Sequence, residues 1–325
     1  MSDESRIVPR EQLPSDGLHP LPMPVINLGH LTLEPAIRAR VVRDIAKACQ
    51  DLGNFQVINH GVSQSVMDGA VEAASDFFKL PSEIKEEFAS EDIRQPVRYH
   101  TSSKDGISLS RALLKLYAHP LSDWMQYWPE KPPIYRDCMG NFAVEVRRVA
   151  LQLMGAILEG LGLGKDYEHD KFEEGLQLLS VNRYPKESEG DSTIGLAAHS
   201  DYGFLTILLA SSQGLEVVDR NSDSWKVVPQ LPHALHVHVG DPMEVLSNGK
   251  IKTVVHRAVL NPKEARVSIA SIHGFALDEK VSSAKELVNE QNPEKYNESS
   301  FSDFLDHLTS NMDKKPRNFL ESLRK

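Results

Sequence analysis

The residues best suited to chemistry are a His-x-Asp pair, His199 and Asp201, and a later histidine, His256. Two imidazoles and one carboxylate in this order are typical of a facial triad. Such a triad holds Fe(II) on one side and leaves the other coordination positions open for a co-substrate and O₂. The triplet RVS follows His256, and in an extended strand its Arg266 and Ser268 would point to the same face. A guanidinium fork beside a hydroxyl is suited to a carboxylate, so the pattern predicts an iron site with an anchor for an acidic group.

Each part of this pattern is weak alone, but the ordered combination is specific. A lone His-x-Asp is more often a surface turn or a satisfied core histidine than a metal site, and the chain has 13 histidines. The order His-x-Asp, His, Arg-x-Ser is rarer. The segment NRYP at 182–185 precedes the first histidine, and GD at 240–241 and LSNG at 246–249 precede the second. Order and context together favour the metal site.

These residues and several other segments resemble the plant soluble Fe(II)/2-oxoglutarate-dependent dioxygenases. That family includes flavanone hydroxylases, anthocyanidin synthase, gibberellin oxidases and salicylate hydroxylases. The resemblance covers nearly the whole chain, with PVINL at 24–28, FQVINHGV at 55–62, FFKLP at 77–81 and YWPEKPP at 127–133. It implies an enzyme that uses Fe(II), 2-oxoglutarate and O₂, with ascorbate as a supporting reductant.

The resemblance also implies roles for individual residues. His199, Asp201 and His256 would bind iron and form the catalytic centre. The distal carboxylate of 2-oxoglutarate would be bound by Arg266, Ser268 and Tyr184, and Asn182 would line the same site. Substrate contacts are expected by analogy at Arg98, Tyr99, Leu116, His119, Ile272 and Phe275, for each of which plain core packing is the alternative.

The reaction implied is hydroxylation or desaturation of a small plant metabolite, phenolic or flavonoid or salicylate-like. Oxidation of a gibberellin or another hormone is the alternative within the family. A non-catalytic small-molecule-binding protein with the same fold is the alternative outside it. The usual mark of such a protein is a lost metal ligand, and the His-x-Asp…His set is complete in this sequence.

One strand departs from the family pattern. Family members often place Val and Asn where this chain has His236 and His238. Residues two apart on a strand share a face, so the two imidazoles could form a second metal site. No carboxylate stands at triad spacing, which favours a structural role. His238 in place of Asn could also reshape the co-substrate pocket.

Composition excludes several classes of function. The net charge is -10 without a basic stripe, which argues against nucleic acid as a partner. The chain has no apolar run of membrane-spanning length, and its polar, acidic N-terminus has no signal-like apolar region. Two cysteines do not form a disulfide framework and fit a reducing compartment. We expect a cytoplasmic protein, monomeric, with a small-molecule substrate and no membrane partner.

The elements that must position these residues follow from periodicity. Apolar positions at helical spacing predict helices at 34–52, 63–79 and 133–163, and residues 91–110 are expected to be irregular. From about residue 177 the pattern changes to short strands, at 178–184, 205–209, 215–218, 225–228, 235–239, 243–246, 253–258 and 267–272. Many short, evenly spaced strands are typical of a barrel or jelly roll.

We therefore predict a mixed α+β fold, in which a helical N-terminal half packs around a double-stranded β-helix (jelly-roll) core. The expected divisions are an N-terminal arm at 1–22, a mostly helical region at 23–175, the catalytic core at 176–280 and a helical tail at 281–325. The N-terminal half and the core are expected to form one catalytic unit rather than two independent domains.

Overall fold

The computed structural model describes residues 20–101, 111–186, 194–310 and 318–325. Within these ranges the strands are β1 Val25–Asn27, β2 Asn54–Ile58, β3 Val97–Thr101, β4 Ala112–Tyr117, β5 Gln177–Tyr184, β6 Ile194–His199, β7 Leu205–Ala210, β8 Leu215–Asp219, β9 Ser224–Val227, β10 Leu235–Val239, β11 His256–Val259 and β12 Arg266–His273. The helices are α1 Pro35–Asp51, α2 Gln64–Lys79, α3 Ser82–Glu86, α4 Leu121–Trp124, α5 Tyr135–Gly160, α6 His169–Glu173, α7 Asp241–Leu246, α8 Phe301–Ser310 and α9 Phe319–Leu323. Most of the predicted N-terminal arm lies outside the described residues.

The strands form two sheets. The major sheet has eight strands in the order β1-β2-β10-β7-β12-β5-β4-β3, and the minor sheet has four in the order β6-β11-β8-β9. Consecutive strands from β5 to β12 alternate between the two sheets, apart from the β8–β9 hairpin, which gives the predicted mixed α+β jelly roll. Strands from the N-terminal region extend the major sheet at both edges, so this region is less purely helical than the sequence indicates.

Helices cover one face of the major sheet, which we call the outer face. In α5 the apolar residues at helical spacing are buried, namely Phe142, Val146, Val149, Ala150, Leu153 and Ile157. Their spacing forms one apolar stripe on the helix. The side-chain amide of Gln177, in β5, donates to the carbonyl of Ala143 and ties the helix to the sheet at 2.9 Å. α2 begins at a cap in which the Ser63 hydroxyl accepts from the amide of Val66.

The opposite face of the major sheet, which we call the inner face, is set by strand register. Ile272 of β12 pairs with Thr206 of β7, and Thr206 pairs with His238 of β10. Directly paired residues lie on the same face, and so do residues two apart along a strand. The inner face of β12 therefore carries Arg266, Ser268, Ala270 and Ile272. Its outer face carries Val267 and Ile269, which belong to the core.

Three details of the secondary structure differ from the sequence prediction. Residues 243–246 belong to helix α7 rather than to a strand, and Pro242 stands in the first turn of that helix, where proline is well tolerated. Strand β6, which ends at His199, was not predicted. The supposedly irregular segment 91–110 contains β3, and its residues 102–110 lie outside the described part of the chain.

The C-terminal segment packs on the loop that follows β6. Tyr202 stacks on Phe304 of α8 with ring centroids 4.6 Å apart, and its hydroxyl pairs with that of Ser299 at 2.8 Å. Phe319 of α9 packs edge-on to the same tyrosine at 5.4 Å. The tail thus holds the residue adjacent to Asp201. Among the described residues, no helix is both long enough and apolar enough to span a membrane.

Candidate active site

His199, Asp201 and His256 converge on one point. Their ligand atoms all lie within 4.8 Å of one another. Asp201 Oδ1 is 3.5 Å from His199 Nε2 and 3.7 Å from His256 Nε2. His199 ends β6 and His256 begins β11, and the two residues are paired in register, so the sheet itself places the imidazoles side by side. Two nitrogens and one carboxylate oxygen on a common side fit a six-coordinate Fe(II) with open positions.

Both imidazoles present the same nitrogen to this point. His199 Nδ1 donates to the carbonyl of Ala197 at 2.8 Å, and His256 Nδ1 donates to the carbonyl of Val254 at 3.1 Å. Because a neutral imidazole has one N–H, these bonds leave Nε2 of each ring as a lone-pair donor to a metal. His256 is buried, whereas a third of the His199 side chain is exposed. The site is therefore closed on the β11 side and more open at His199.

The second oxygen of Asp201 is held by two hydrogen bonds. Thr206 Oγ1 donates to Oδ2 at 2.5 Å, and His238 Nε2 donates to the same oxygen at 2.9 Å. Oδ1 is left to face the two histidines. This arrangement fixes the rotation of the carboxylate and favours one oxygen as the ligand. His238 thus acts beside the triad.

The main chain around Asp201 requires glycine at a neighbouring position. The amide of Asp241 donates to the carbonyl of Asp201 at 2.9 Å. A Cβ on Gly240 would lie 2.4 Å from that carbonyl oxygen and 2.3 Å from the carbonyl oxygen of Gly203. Only a residue without a side chain allows the two segments to approach this closely.

Charge and burial keep the three ligands in the protonation states that a metal needs. Burial lowers the pKa of His199, and burial with the neighbouring His199 and His238 lowers the pKa of His256 to about 3. Burial alone would raise the pKa of Asp201, but His256, His238 and His199 hold it well below its usual range. Two neutral imidazoles and an ionised carboxylate are the donor forms for Fe(II).

The four residues expected to bind 2-oxoglutarate lie together on the inner face. Arg266 pairs with Tyr184, and Ser268 pairs with Asn182, across β12 and β5. Arg266 is only 2% exposed, and its Nε donates to the carbonyl of Ser212 at 2.9 Å. Its guanidinium lies 5.4 Å from the Tyr184 ring centroid. A buried guanidinium without a carboxylate among its described contacts is suited to an anionic ligand.

Arg111 is a further basic residue here, and the sequence analysis did not select it. Its Nε donates to Asn182 Oδ1 at 2.7 Å. Burial lowers the pKa of Arg111, while the nearby Tyr184 and Asp201 act to raise it. Its position beside both Asn182 and the triad had no motif in the sequence, because the contact depends on the pairing of β4 with β5.

Four of the six expected substrate contacts lie on strands of the major sheet, two on each face. Arg98 pairs with Lys115, which pairs with Ser180, so Arg98 lies on the inner face, as Ile272 does. Tyr99 and Leu116 lie on the outer face, and Tyr99 packs edge-on to Phe77 of α2 at 6.2 Å. Strand alternation thus places both Tyr99 and Leu116 in the helix-covered core, away from the inner face.

His119 and Phe275 also lie away from the inner face. His119 stands past the end of β4, near the backbone of Glu173 and the side chain of Arg147. Phe275 packs against Phe172 at 4.7 Å and Phe204 at 4.6 Å in an aromatic cluster. Tertiary packing that no local pattern encodes thus separates both residues from Arg98 and Ile272 on the inner face.

Lys115 is an inner-face residue that was not among the predicted substrate contacts. Its Nζ donates to the carbonyl of Ile93 at 2.6 Å, and burial with the nearby Arg98 lowers its pKa to about 8. The alternation Leu114-Lys115-Leu116 was the available signal, since a polar residue between two buried leucines marks the opposite face. Among the described residues, neither Lys115 nor Arg98 forms a salt bridge.

The two histidines of β10 do not build a second metal centre. Within the described part of the chain, the triad is the one group of at least three potential ligands that converges. His238 supports Asp201, as described above. His236 lies on the inner face and pairs in register with Leu208.

Comparison with known proteins agrees with this geometry. Residues 176–274 match the 2OG-Fe(II) oxygenase superfamily, and residues 23–133 match the family described as non-haem dioxygenase in morphine synthesis N-terminal. The chain is 77% identical over its full length to Flavanone 3-dioxygenase 3 of Oryza sativa subsp. japonica, all of which is covered. It is 60% identical to 2-oxoglutarate-dependent dioxygenase 21, chloroplastic, of the same plant, over 94% of this chain and 92% of that protein.

A solved structure shares the fold over almost the whole length. The crystal structure of JOX2 in complex with 2OG, Fe and JA superposes with a TM-score of 0.81 at 32% identity, covering 99% of this chain and 96% of JOX2. The chain belongs to the 2OG-Fe(II) oxygenase superfamily. It is a 2-oxoglutarate-dependent dioxygenase whose cofactors are Fe(II) and 2-oxoglutarate.

Proposed function

We propose that the protein hydroxylates or desaturates a phenolic plant metabolite of the flavanone class. The observation that carries the proposal is the combination of two features: a three-ligand metal site, formed by β6, β11 and the loop after β6, and a buried guanidinium on the inner face of the major sheet. The 77% identity to a protein named flavanone 3-dioxygenase favours a flavanone as the substrate. The overall reaction would convert the substrate, O₂ and 2-oxoglutarate into a hydroxylated product, succinate and CO₂.

We assign the roles as follows. His199, Asp201 and His256 hold Fe(II), which supplies the oxygen-activating chemistry when bound. Arg266, Ser268 and Tyr184 bind the distal carboxylate of 2-oxoglutarate, and Asn182 lines that site. Because Arg266 is almost fully buried, its attraction for the carboxylate is screened little by water. The fixed anchor would orient the co-substrate toward the metal.

The test is turnover of 2-oxoglutarate with Fe(II) and ascorbate against flavanones, coumarins, salicylate and gibberellins. Succinate release stimulated by a flavanone, with a product that gains one oxygen or loses two hydrogens, would support the proposal. Stimulation by another class alone would replace the substrate and keep the reaction. Arg266→Lys is a matched variant, since it keeps the charge but loses the planar fork, and it should raise the KM for 2-oxoglutarate.

A carboxylate-bearing hormone is the second candidate substrate. Arg98 and Lys115 place two basic side chains on the inner face, without an acidic partner in a salt bridge among the described residues. They favour a substrate with a carboxylate or an ionised phenol. JOX2 is described in complex with JA, which adds hormones to the panel. A lower KM for acidic substrates than for their methyl esters would favour this candidate.

We further propose that the enzyme acts as a cytosolic monomer. The two cysteines are unpaired, with Cys49 buried, which fits a reducing compartment. Because the 60% identical relative is described as chloroplastic, fractionation of leaf tissue should separate the cytosol from chloroplasts. Light scattering during size-exclusion chromatography would give the mass of the particle in solution.

A further inference from the structure

His236 is a buried imidazole for which the structure offers no hydrogen-bond partner. The side chain is 6% exposed, and neither Nδ1 nor Nε2 has a partner among the described residues. Buried polar atoms in proteins are nearly always paired, and an unpaired one costs folding free energy. A neutral imidazole offers one N–H donor and one lone pair, so His236 has two unused positions.

His236 lies between the metal ligands and Arg266 along the inner face. Its centroid is 5.5 Å from that of His238, which is 4.4 Å from that of the metal ligand His256. Along β10, His236 is one inner-face position further from the Asp201 contact than His238. On the neighbouring strands this displacement leads toward Ala210 and Ser268, the end at which Arg266 stands.

His236 and Arg266 also line the same space. A cavity of about 670 Å³ is bordered by both residues, together with Leu208 and Ala210, and its far wall is formed by residues of α2 such as Met67. By strand register, the inner-face positions between the His238–Asp201 contact and Arg266 include Leu208 and Ala210 of β7, so an anionic co-substrate that reached from the triad to Arg266 would pass near them. Leu208 and Ala210 offer it no polar side-chain group there. His236 is the donor on β10 that faces this stretch.

We infer that His236 is a further binding residue for 2-oxoglutarate, donating an imidazole N–H to the bound dianion. The inference rests on the proposed function, because it assumes that 2-oxoglutarate spans from the triad to Arg266. Among the described residues, the ring has no acceptor for its N–H. When the co-substrate binds, the N–H gains a charged acceptor. The new hydrogen bond strengthens the binding of 2-oxoglutarate.

The experiment compares His236→Val and His236→Gln with the unsubstituted protein. Each protein is loaded with Zn(II), which is redox-inert, and titrated with 2-oxoglutarate in a calorimeter. We expect His236→Val to weaken 2-oxoglutarate binding by roughly tenfold or more, as for the loss of one hydrogen bond to a charged group. His236→Gln retains an N–H donor and should recover much of the affinity. Zn(II) binding should be equal in all three.

Stability separates this role from a structural one. Because valine removes two unpaired buried atoms, the metal-free His236→Val protein should melt at the same or a higher temperature. A structural histidine would show the reverse pattern, a lower melting temperature with an unchanged Kd for 2-oxoglutarate. That pattern, or an unchanged Kd at any stability, would overturn the inference.

The matched control is His273, an equally buried histidine on the outer face of β12. Its Nε2 already pairs with the Ser271 hydroxyl at 2.9 Å. His273→Gln should leave the Kd for 2-oxoglutarate unchanged, and an equal loss in both variants would contradict a specific role for His236. If the unsubstituted Zn(II) protein does not bind 2-oxoglutarate at all, the residue roles of the proposed function fail together with this inference.

Discussion

Leu116 and Lys115 are neighbours in β4, yet they lie in the two most different environments of the molecule. Leu116 is fully buried on the outer face of the major sheet, among leucines and aromatic residues under α2 and α5. Lys115 is on the inner face, in the same row as Ser180 of β5 and next to Arg98 of β3. One face is an apolar core, and the other carries the residues assigned to the co-substrate and faces the metal ligands of the minor sheet.

One sheet therefore contributes to both stability and function. Strand alternation gives each face its own set of positions, so the core and the site can be built from the same strands. On the outer face, Ile207, Val237 and Ile269 are fully buried and apolar. On the inner face, the two ring nitrogens of His236 are buried and have no hydrogen-bond partner among the described residues, which is a cost to folding. Changes on the two faces should therefore have opposite signatures.

The largest effect is expected at the metal ligands. His199→Ala removes one of three donors and should reduce substrate-dependent succinate release to the level of the metal-free enzyme. Because His199 is one-third exposed, the free energy of unfolding without metal should change by no more than about 0.5 kcal/mol. The measurements are succinate release and urea denaturation. Substrate oxidation still coupled to succinate in this variant would show that the metal assignment is wrong.

The second largest effect lies on the outer face. Leu116→Ala leaves a cavity under the helices and should lower the free energy of unfolding by about 2–5 kcal/mol. The KM values of the protein that remains folded should not change, since Leu116 points away from the site. Urea denaturation and steady-state kinetics at low temperature check the two halves of this statement. A specific rise in the substrate KM would restore Leu116 as a substrate contact.

The metal site was the part of the molecule most accessible from the sequence. His199 and Asp201 stand two apart at the end of one strand, and Arg266 and Ser268 stand two apart on another, so local spacing carries the information. The jelly-roll class also followed from short, evenly spaced strands. One secondary-structure prediction was wrong even though a local signal was present. Pro242 was a usable sign of a helix start, and residues 243–246 were still predicted as a strand.

The substrate pocket was less accessible, for a physical reason. Motif resemblance places a strand near the site, but only the alternation within the strand decides which residues face it. Leu116 was chosen where Lys115 faces inward. Arg111 and Phe275 depend on strand pairing and aromatic packing between distant segments. Such contacts have no signature in a single sequence.

A smaller effect, still on the inner face, is expected at His238. His238→Ala removes one of two hydrogen bonds to Oδ2 of Asp201 and should weaken Fe(II) binding by about 10–100-fold. His238→Asn keeps an N–H donor and should restore part of the affinity. Anaerobic Fe(II) titration gives the Kd directly. Equal affinity in the alanine variant would mean that Thr206 alone orients the carboxylate.

The smallest effect is expected at Lys115, and it depends on pH. Burial lowers its pKa to about 8, below the value of about 10.4 for an unfolded lysine. The charged form is thus disfavoured in the folded protein, and this cost is fully present below pH 8 and disappears as the pH rises toward 10.4. Lys115→Met should then raise the free energy of unfolding at pH 7, and the gain should shrink through that interval.

Deprotonation of Lys115 should favour stability but weaken the binding of an acidic substrate. If the substrate is acidic, the KM of the unsubstituted enzyme should rise roughly two- to fivefold above pH 8 as Lys115 loses its proton, the size of a charge pair worth about 0.5–1 kcal/mol. Lys115→Arg should flatten this rise, and Lys115→Met should show the high KM at every pH. A pH-independent KM in all three enzymes would instead favour a neutral flavanone. In that case Arg98 of β3 and Lys115 of β4 would have a structural role, through their hydrogen bonds to backbone carbonyls, rather than a role in substrate binding.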